Sequence, residues 1–406
     1  MNTQSINIAK QKVLGYKGMV FFIALMNMFI PLSTDLYLPA LPSMSEYFQV
    51  SATVTNLSLV SFFFCYAVGT LFWGPMSDKY GRKPVLVAGT AIYVVASVGC
   101  AVAPTAYILI AARVFEGFGA GAITAVSMAI IKDCFAGKQR ETILAIVQSM
   151  SGLAPMLAPV IGAIIIEYVG WRGSFWLLVI IGSICLGMAA VYQETLQEDE
   201  KYTGSILGSL GRLVTVSKNI GFILPCIIFS MYSIAFMGYI AISSYIYIDY
   251  FGLSSQMYSY FFAANACLSL VGPMTYVKFF AGSNKKTFAM LCLSGCVLAG
   301  LLVFTVGRVS PIFFWLGFAP FSFIGTLLRP FSTSLLLDQQ KGDTGSASSL
   351  INGVNTIFGS IGMTVASMAW SNIVGGLGMM IIFSSLLGLV AWLLLLRSDI
   401  PCYGVK

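Results

Sequence analysis

Long apolar runs alternate with short polar breaks along the whole chain. The runs cover residues 16–41, 55–76, 84–103, 106–131, 142–166 and 172–192, and then 220–249, 256–280, 286–306, 310–337, 344–369 and 377–397. Each comes close to or exceeds the roughly twenty residues a helix needs to cross the hydrocarbon core of a bilayer. The pattern predicts an all-α polytopic membrane protein with twelve transmembrane helices. One long hydrophilic segment, residues 193–219, separates the first six spans from the last six. This gives an N-terminal segment 1–15, a six-helix bundle 16–192, a connecting loop 193–219, a second six-helix bundle 220–397 and a C-terminal segment 398–406. Within the loop, Ile206, Leu210 and Leu213 recur at helical spacing beside Arg212 and Lys218, the pattern of a surface-lying amphipathic helix. The first and seventh spans begin near residues 17 and 220, so the halves are expected to be related by an internal repeat.

Composition agrees. Of 406 residues, 58% are hydrophobic and only 9% charged, far from the roughly one quarter typical of soluble domains. The net charge of +7 fits loops facing an anionic leaflet, with no nucleic-acid partner implied. Lys10, Lys12, Lys17, Lys79, Arg82, Lys83, Lys132, Lys138, Arg140, Lys201, Arg212, Lys218, Lys278, Lys285, Lys286, Lys341, Arg397 and Lys406 all fall on one side of the expected topology, and only Arg172 and Arg308 on the other. That asymmetry places both termini in the cytoplasm. Arg113 and Arg329 remain inside spans. Most of the nine cysteines lie in apolar runs, where they read as small core fillers. Cys292 and Cys296, one turn apart without a histidine, do not make a metal site. The chain has no histidine, so proton chemistry falls to carboxylates. It has no GxxxxGK[ST] sequence, so nothing here is expected to cradle nucleotide phosphates, and an HExxH zinc-protease motif is impossible.

One very short break, GPMSDKYGRKP at 74–84, must reverse a helix at the membrane surface. Gly81 suits the turn and Pro84 the first turn of the next helix. Gly74 permits close helix approach, and Asp78 can pair with Arg82 or accept from a neighbouring helix N-terminus. The stretch resembles the signature loop between the second and third helices of the major facilitator superfamily, with Gly74, Asp78, Gly81 and Arg82 at its positions. The resemblance implies a gating latch there. The corresponding loop of the second half, AGSNKKTF, keeps only glycine and basic charge.

Asp35 and Glu116 are acids inside spans, functional candidates because burying a charge is costly. Asp35 lies about 9 Å in from the outer end of its span and Arg113 about 12 Å into the fourth, at 1.5 Å per residue. If the helices are neighbours, Arg113 can pair with ionised Asp35 and be released by its protonation. Glu116, on the same helix face, can hold Arg113 otherwise. The competing readings are that Asp35 belongs to an outer loop, given Pro31, Pro39 and Pro42, and that Arg113 and Glu116 form a static helix-joining pair. STDLYLPALP at 33–42 with LIAARVFEGFGAGA at 109–122 resembles the bicyclomycin and chloramphenicol resistance exporters of the Bcr/CflA type, which are drug/proton antiporters. The resemblance implies that Asp35 is the proton-linked acid and that Arg113, with Gly117 and Gly119, is the buried arginine motif. Glu116 stands where glutamine is common in such exporters.

SGLAPMLAPVIGA at 151–163 clusters Gly152, Pro155, Pro159 and Gly162, predicting a bent, tightly packed helix. It resembles the antiporter motif of the superfamily's drug exporters, with Ala154 and Ala158 in place of typical glycines. WRGSF at 171–175, ETL at 194–196 and DTGSASSLINGV at 343–354 fit the same family. Candidate substrate contacts near mid-membrane are Asn27, Tyr232, Phe236, Tyr239, Asn265, Asn352 and Asn355, against the alternative that the aromatic stripe is packing. Tyr245, Tyr247 and Tyr250 read as an interfacial belt. Arg329 either snorkels to the inner surface or contacts an anionic substrate group.

The reading that results is a monomeric secondary transporter of the bacterial cytoplasmic membrane. It uses alternating access and no cofactor, with the proton as coupling ion and a small drug-like molecule as cargo. An exporter of an endogenous metabolite such as an amino acid or siderophore is the alternative of the same class, and a non-transporting sensor the alternative of another.

Overall fold

The computed structural model describes residues 11–135, 137–197, 201–202, 211, 214–280, 282–340 and 344–405. The helices are α1 (Gly15–Asp35), α2 (Leu41–Phe48), α3 (Ala52–Tyr80), α4 (Arg82–Val102), α5 (Ala106–Cys134), α6 (Gly137–Val169), α7 (Trp171–Val191), α8 (Ile220–Ser244), α9 (Ser255–Thr275), α10 (Lys285–Thr305), α11 (Pro311–Leu337), α12 (Thr344–Ala366) and α13 (Ile373–Arg397). A 3₁₀ turn, Leu38–Ala40, joins α1 to α2, and both belong to the first span. Among the described residues there is no strand.

Local chemistry sets many of these boundaries. Thr105, Ser254, Asn284, Ser310 and Asn372 cap α5, α9, α10, α11 and α13, each side chain accepting a first-turn amide that would otherwise be unpaired. Pro311 then sits at the start of α11, where its missing N–H costs nothing. Gly81, at φ 103°, makes the reversal between α3 and α4 that the sequence demanded of it. α6 runs unbroken through Pro155 and Pro159.

Among the described residues, eleven spans are long and apolar enough to cross a membrane by length and composition. α12 is the twelfth expected span, but 13 of its 23 residues are Gly, Ser, Thr or Asn. The amphipathic segment expected at 206–213 falls largely outside the described residues.

The chain divides into two compact units, Met1–Val50 with Leu57–Leu210 and Ser51–Asn56 with Gly211–Lys406. In the first, α4 packs on α5 and α7, and α1 on α6. In the second, α10 packs on α11 and α13, and α8 on α12. Counted by span, these are the same pairs. The close approaches repeat too: Gly162 of α6 lies against the carbonyl of Leu36, and Gly362 of α12 against that of Ile234. The internal repeat is therefore carried by packing positions, where only a missing side chain lets backbones approach.

Each unit is also tied at a chain end. The Gln11 side-chain amide donates to the Gln193 carbonyl at 2.6 Å and its oxygen accepts the Gln193 amide at 3.0 Å. Gln339 makes the same two-way pair with the main chain of Tyr403, at 2.9 and 2.7 Å. Cys402 and Val405 are buried in one core cluster with Phe288 and Trp392.

One expectation is corrected. Tyr245 and Tyr247 are not interfacial; they are 5% and 0% exposed. Beyond Ser244 the chain widens into a π-helical turn, Tyr245–Tyr250, and the Tyr247 ring packs among Phe261, Tyr258 and Phe314. Tyr250 alone of the three remains exposed.

Candidate functional site

The ionisable groups of the first unit's interior gather where α1, α3, α4, α5 and α7 meet. Arg113 and Glu116 are both 0% exposed, and Arg113 Nη1 pairs with Glu116 Oε2 at 2.7 Å. Arg113 also donates to the main-chain carbonyls of Ser33 at 3.0 Å and Ser58 at 3.3 Å. Its guanidinium lies 4.1 Å from the Phe62 ring centroid and 4.9 Å from that of Tyr37, a cation–π cage worth more when desolvated. Glu116 accepts from Ser97 Oγ at 2.8 Å and from the Cys100 thiol at 3.5 Å. Ser33 and Tyr93 hydroxyls join at 2.6 Å, so α1, α4 and α5 are linked through one polar network. A buried pair held this way is satisfied on both sides, which is what keeps burial of two charges from being prohibitive.

Asp35 is the last residue of α1, yet it is only 5% exposed because the chain continues buried through Leu36–Pro42. The α-helix stops there, and the carboxylate is nonetheless enclosed. Its hydrogen-bond partner is the Thr34 hydroxyl, 2.9 Å from Oδ1. Arg113 is engaged by Glu116 and not by Asp35. Asn27, two turns earlier, bonds Ser127 of α5 at 2.6 Å and the Ile23 carbonyl at 2.8 Å.

The 151–163 segment meets this site directly. Gly162 abuts Leu36, and Ser174 of α7 donates to the same Leu36 carbonyl at 3.3 Å. Ala154, Ala158 and Pro159 are buried, while Gly152 and Pro155 are half-buried. Gly117 lets α5 reach the Phe62 carbonyl of α3, and Gly119 lets it reach Gly89 and Tyr93 of α4.

At the other end of the unit, Arg82 is the hub of the 74–84 loop. It pairs with Asp78 at 2.5 Å and with Asp133 of α5 at 2.9 Å, and donates to Ser77 Oγ at 2.9 Å. Glu194 spans the N-terminus of α4, accepting the Arg82 amide at 3.0 Å and the Lys83 amide at 2.9 Å. The same carboxylate accepts the amides of Thr195 and Leu196. A carboxylate there meets both unpaired amides and the positive end of the helix dipole. Gly74 is open, with no neighbouring atom close to where a β-carbon would stand. Asp133 escaped sequence reasoning, although its place at the end of α5 on the same expected side of the membrane as Arg82 was a usable signal.

In the second unit the expected substrate contacts differ in burial and partners. Tyr239 is 1% exposed and stacks on Phe318 at 3.9 Å between centroids; Asn265 is 5% exposed, with Oδ1 lacking a hydrogen-bond partner. Tyr232 stacks on Phe321 at 4.6 Å and Phe236 at 5.5 Å, its hydroxyl buried without a partner against Gly325. Asn355 is half-buried and accepts from Ser233 at 3.0 Å. Asn352 and Arg329 are exposed. Among the described residues no cluster of histidine, cysteine and acidic side chains could hold a metal ion.

The model of the Major Facilitator Superfamily matches residues 23–363. The chain belongs to that superfamily. It is similar to the uncharacterized MFS-type transporter YdgK of Bacillus subtilis, 26% identical over 350 residues, which are 85% of this chain and 87% of the relative. It is similar to the bicyclomycin resistance protein homolog of Haemophilus influenzae, 23% identical over 86% of this chain and 89% of the relative. A chloramphenicol resistance protein of Pseudomonas aeruginosa is 33% identical over 172 residues, 42% of this chain and 41% of that one. Among solved structures, the human organic anion transporter MFSD10 (TETRAN) matches with a TM-score of 0.68 at 18% identity, over 93% of this chain and 98% of that one. The D-xylose-proton symporter matches with a TM-score of 0.70 at 16% identity, over 91% and 96%. These likenesses establish the twelve-helix major facilitator fold. The protein is accordingly a multi-pass membrane transporter, and the buried set around Arg113 lies in the first bundle of that fold.

Proposed function

We propose that the protein exports small drug-like molecules, phenicols or similar antibiotics, in exchange for protons by alternating access. The observation that carries this reading is Asp35: a carboxylate 5% exposed at the end of α1, bonded to a hydroxyl and, among the described residues, in no ion pair. An ionisable side chain enclosed in a membrane span is costly to keep, so a carboxylate held there is a candidate coupling site. Resemblance to bicyclomycin and chloramphenicol resistance proteins supports the cargo class and the outward direction. The proton is the coupling ion and no cofactor is required. In this reading the transporter works as a monomer in the bacterial inner membrane with both termini cytoplasmic, and Asp78 and Arg82 stabilise the form closed to the cytoplasm.

A second reading draws on Arg329, exposed within α11 and without an ion pair among the described residues. A lone cation in a span suits a carboxylate-bearing cargo, as an exported amino acid or siderophore would be.

Proteoliposomes under an imposed pH gradient test both. Chloramphenicol is expected to discharge the gradient with the parent protein and not with Asp35→Asn. Discharge by a carboxylated metabolite alone, lost in Arg329→Gln, would favour the second reading. Cargo movement that leaves the gradient untouched in the parent would overturn proton antiport.

A further inference from the structure

The two buried carboxylates of the first bundle differ in every respect that bears on proton exchange. Glu116 is 0% exposed, and its oxygens accept from three donors: Arg113 Nη1 and the Cys100 thiol on Oε2, and Ser97 Oγ on Oε1. Around it stand Ser97 and Cys100 from α4 and Arg113 from its own helix, and around the Arg113 guanidinium stand Ser33 of α1, the following Tyr37, Ser58 and Phe62 of α3 and Phe175 of α7, with Tyr93 of α4 bonded to Ser33. Arg113 is the one charged group among them. Asp35 retains 5% exposure and faces Thr34 on its own helix, with Gly162 from α6 and Ser174 from α7 against the next carbonyl. Arg113 Nη2 is buried without a hydrogen-bond partner, so the guanidinium has capacity for a second acceptor while Glu116 holds Nη1.

Protonating Glu116 would strip Arg113 of its countercharge at 0% exposure, the situation in which breaking a buried pair is most destabilising. Protonating Asp35 strands no cation. The pair Arg113–Glu116 sums to zero charge, so Asp35 alone changes the charge of this interior.

We propose that Glu116 is a positioning residue that stays ionised as the fixed counter-ion of Arg113 and carries no proton, so that this site passes one proton per cycle, on Asp35. The proposal rests on the reading of Asp35 as the proton carrier. A glutamine at this position could accept from Ser97 but could not neutralise Arg113.

Infrared difference spectroscopy of the purified full-length protein in detergent tests this without a substrate, because a protonated carboxyl has a carbonyl stretch that a carboxylate lacks. Spectra between neutral and acid pH are recorded for the parent, Asp35→Asn and Glu116→Gln. The expected result is a buried carboxylic-acid band that disappears in Asp35→Asn and persists in Glu116→Gln. Loss of a band in Glu116→Gln overturns the proposal, and a separate band lost in Asp35→Asn would then leave the Asp35 reading standing. Persistence of every band in Asp35→Asn removes the Asp35 reading and the proposal with it. If Glu116→Gln fails to fold, Glu116→Asp replaces it: the titrating band keeps its frequency if Glu116 holds no proton and moves if it does.

Discussion

Gly162 of α6 rests against the main-chain carbonyl of Leu36, the residue that follows Asp35, with no room between them for a β-carbon. The 151–163 segment thereby fixes the backbone that carries the acid. Gly162→Ala must push α6 away from α1, and overpacking of this kind costs about 1–3 kcal/mol. We expect a lower thermal unfolding midpoint in detergent and a larger fractional loss of transport. Gly187→Ala, where nothing lies close, serves as the control and should leave both unchanged.

The buried pair makes a double-mutant cycle informative. Arg113→Met leaves Glu116 buried without its partner, and should destabilise by about 3–5 kcal/mol. Adding Glu116→Gln to it removes the stranded charge and should recover most of that loss. Chemical or thermal unfolding of the three variants measures the coupling; simple additivity would contradict the pairing seen at 2.7 Å.

Glu194 accepts four amides, two of them at the start of α4. Glu194→Ala should cost about 0.5–2 kcal/mol, the range for removing a helix cap. Glu194→Gln keeps one acceptor oxygen and should fall between the two. Arg82→Lys retains charge but loses the planar fork that reaches Asp78 and Asp133 together, so it should impair transport more than a conservative change suggests. Transport in proteoliposomes beside an unfolding curve separates these effects.

Tyr232 buries a hydroxyl that has no partner, at a typical penalty of about 1–3 kcal/mol. Tyr232→Phe should therefore unfold at the same temperature as the parent or higher. If that variant also loses affinity for chloramphenicol, the hydroxyl is a cargo contact; if affinity is kept, the ring serves packing against Phe321.

Much of this was legible in the chain. Runs of apolar residues gave the spans because a bilayer imposes one length on every helix, and the loop at 74–84 was readable because a short reversal leaves few usable residue types. Depth counting brought Asp35 and Arg113 to one level but could not say which acid holds the arginine. That depends on Ser97 and Cys100 of α4 facing Glu116, and tertiary neighbours leave no periodic signal. The aromatic belt assigned to Tyr245 and Tyr247 failed for a related reason: nearness to a helix end in sequence does not tell which side of the helix meets lipid. Glu194 lay in a recognisable ETL run, yet its four amide contacts arise only after α7 returns beside α4.

α12 has a consequence for how the protein is made. Hydropathy alone gives a nascent helix rich in Gly, Ser, Thr and Asn little reason to leave the translocon for lipid. α8, which α12 packs against so closely at Gly362 and Ile234, is already in the membrane when α12 emerges, and the strongly apolar α13 follows within a few residues. The helix should therefore enter the bilayer as a guest of its neighbours, in a hairpin with α13 docked on α8. Truncation just after α12 should yield a chain whose last segment slips back into water.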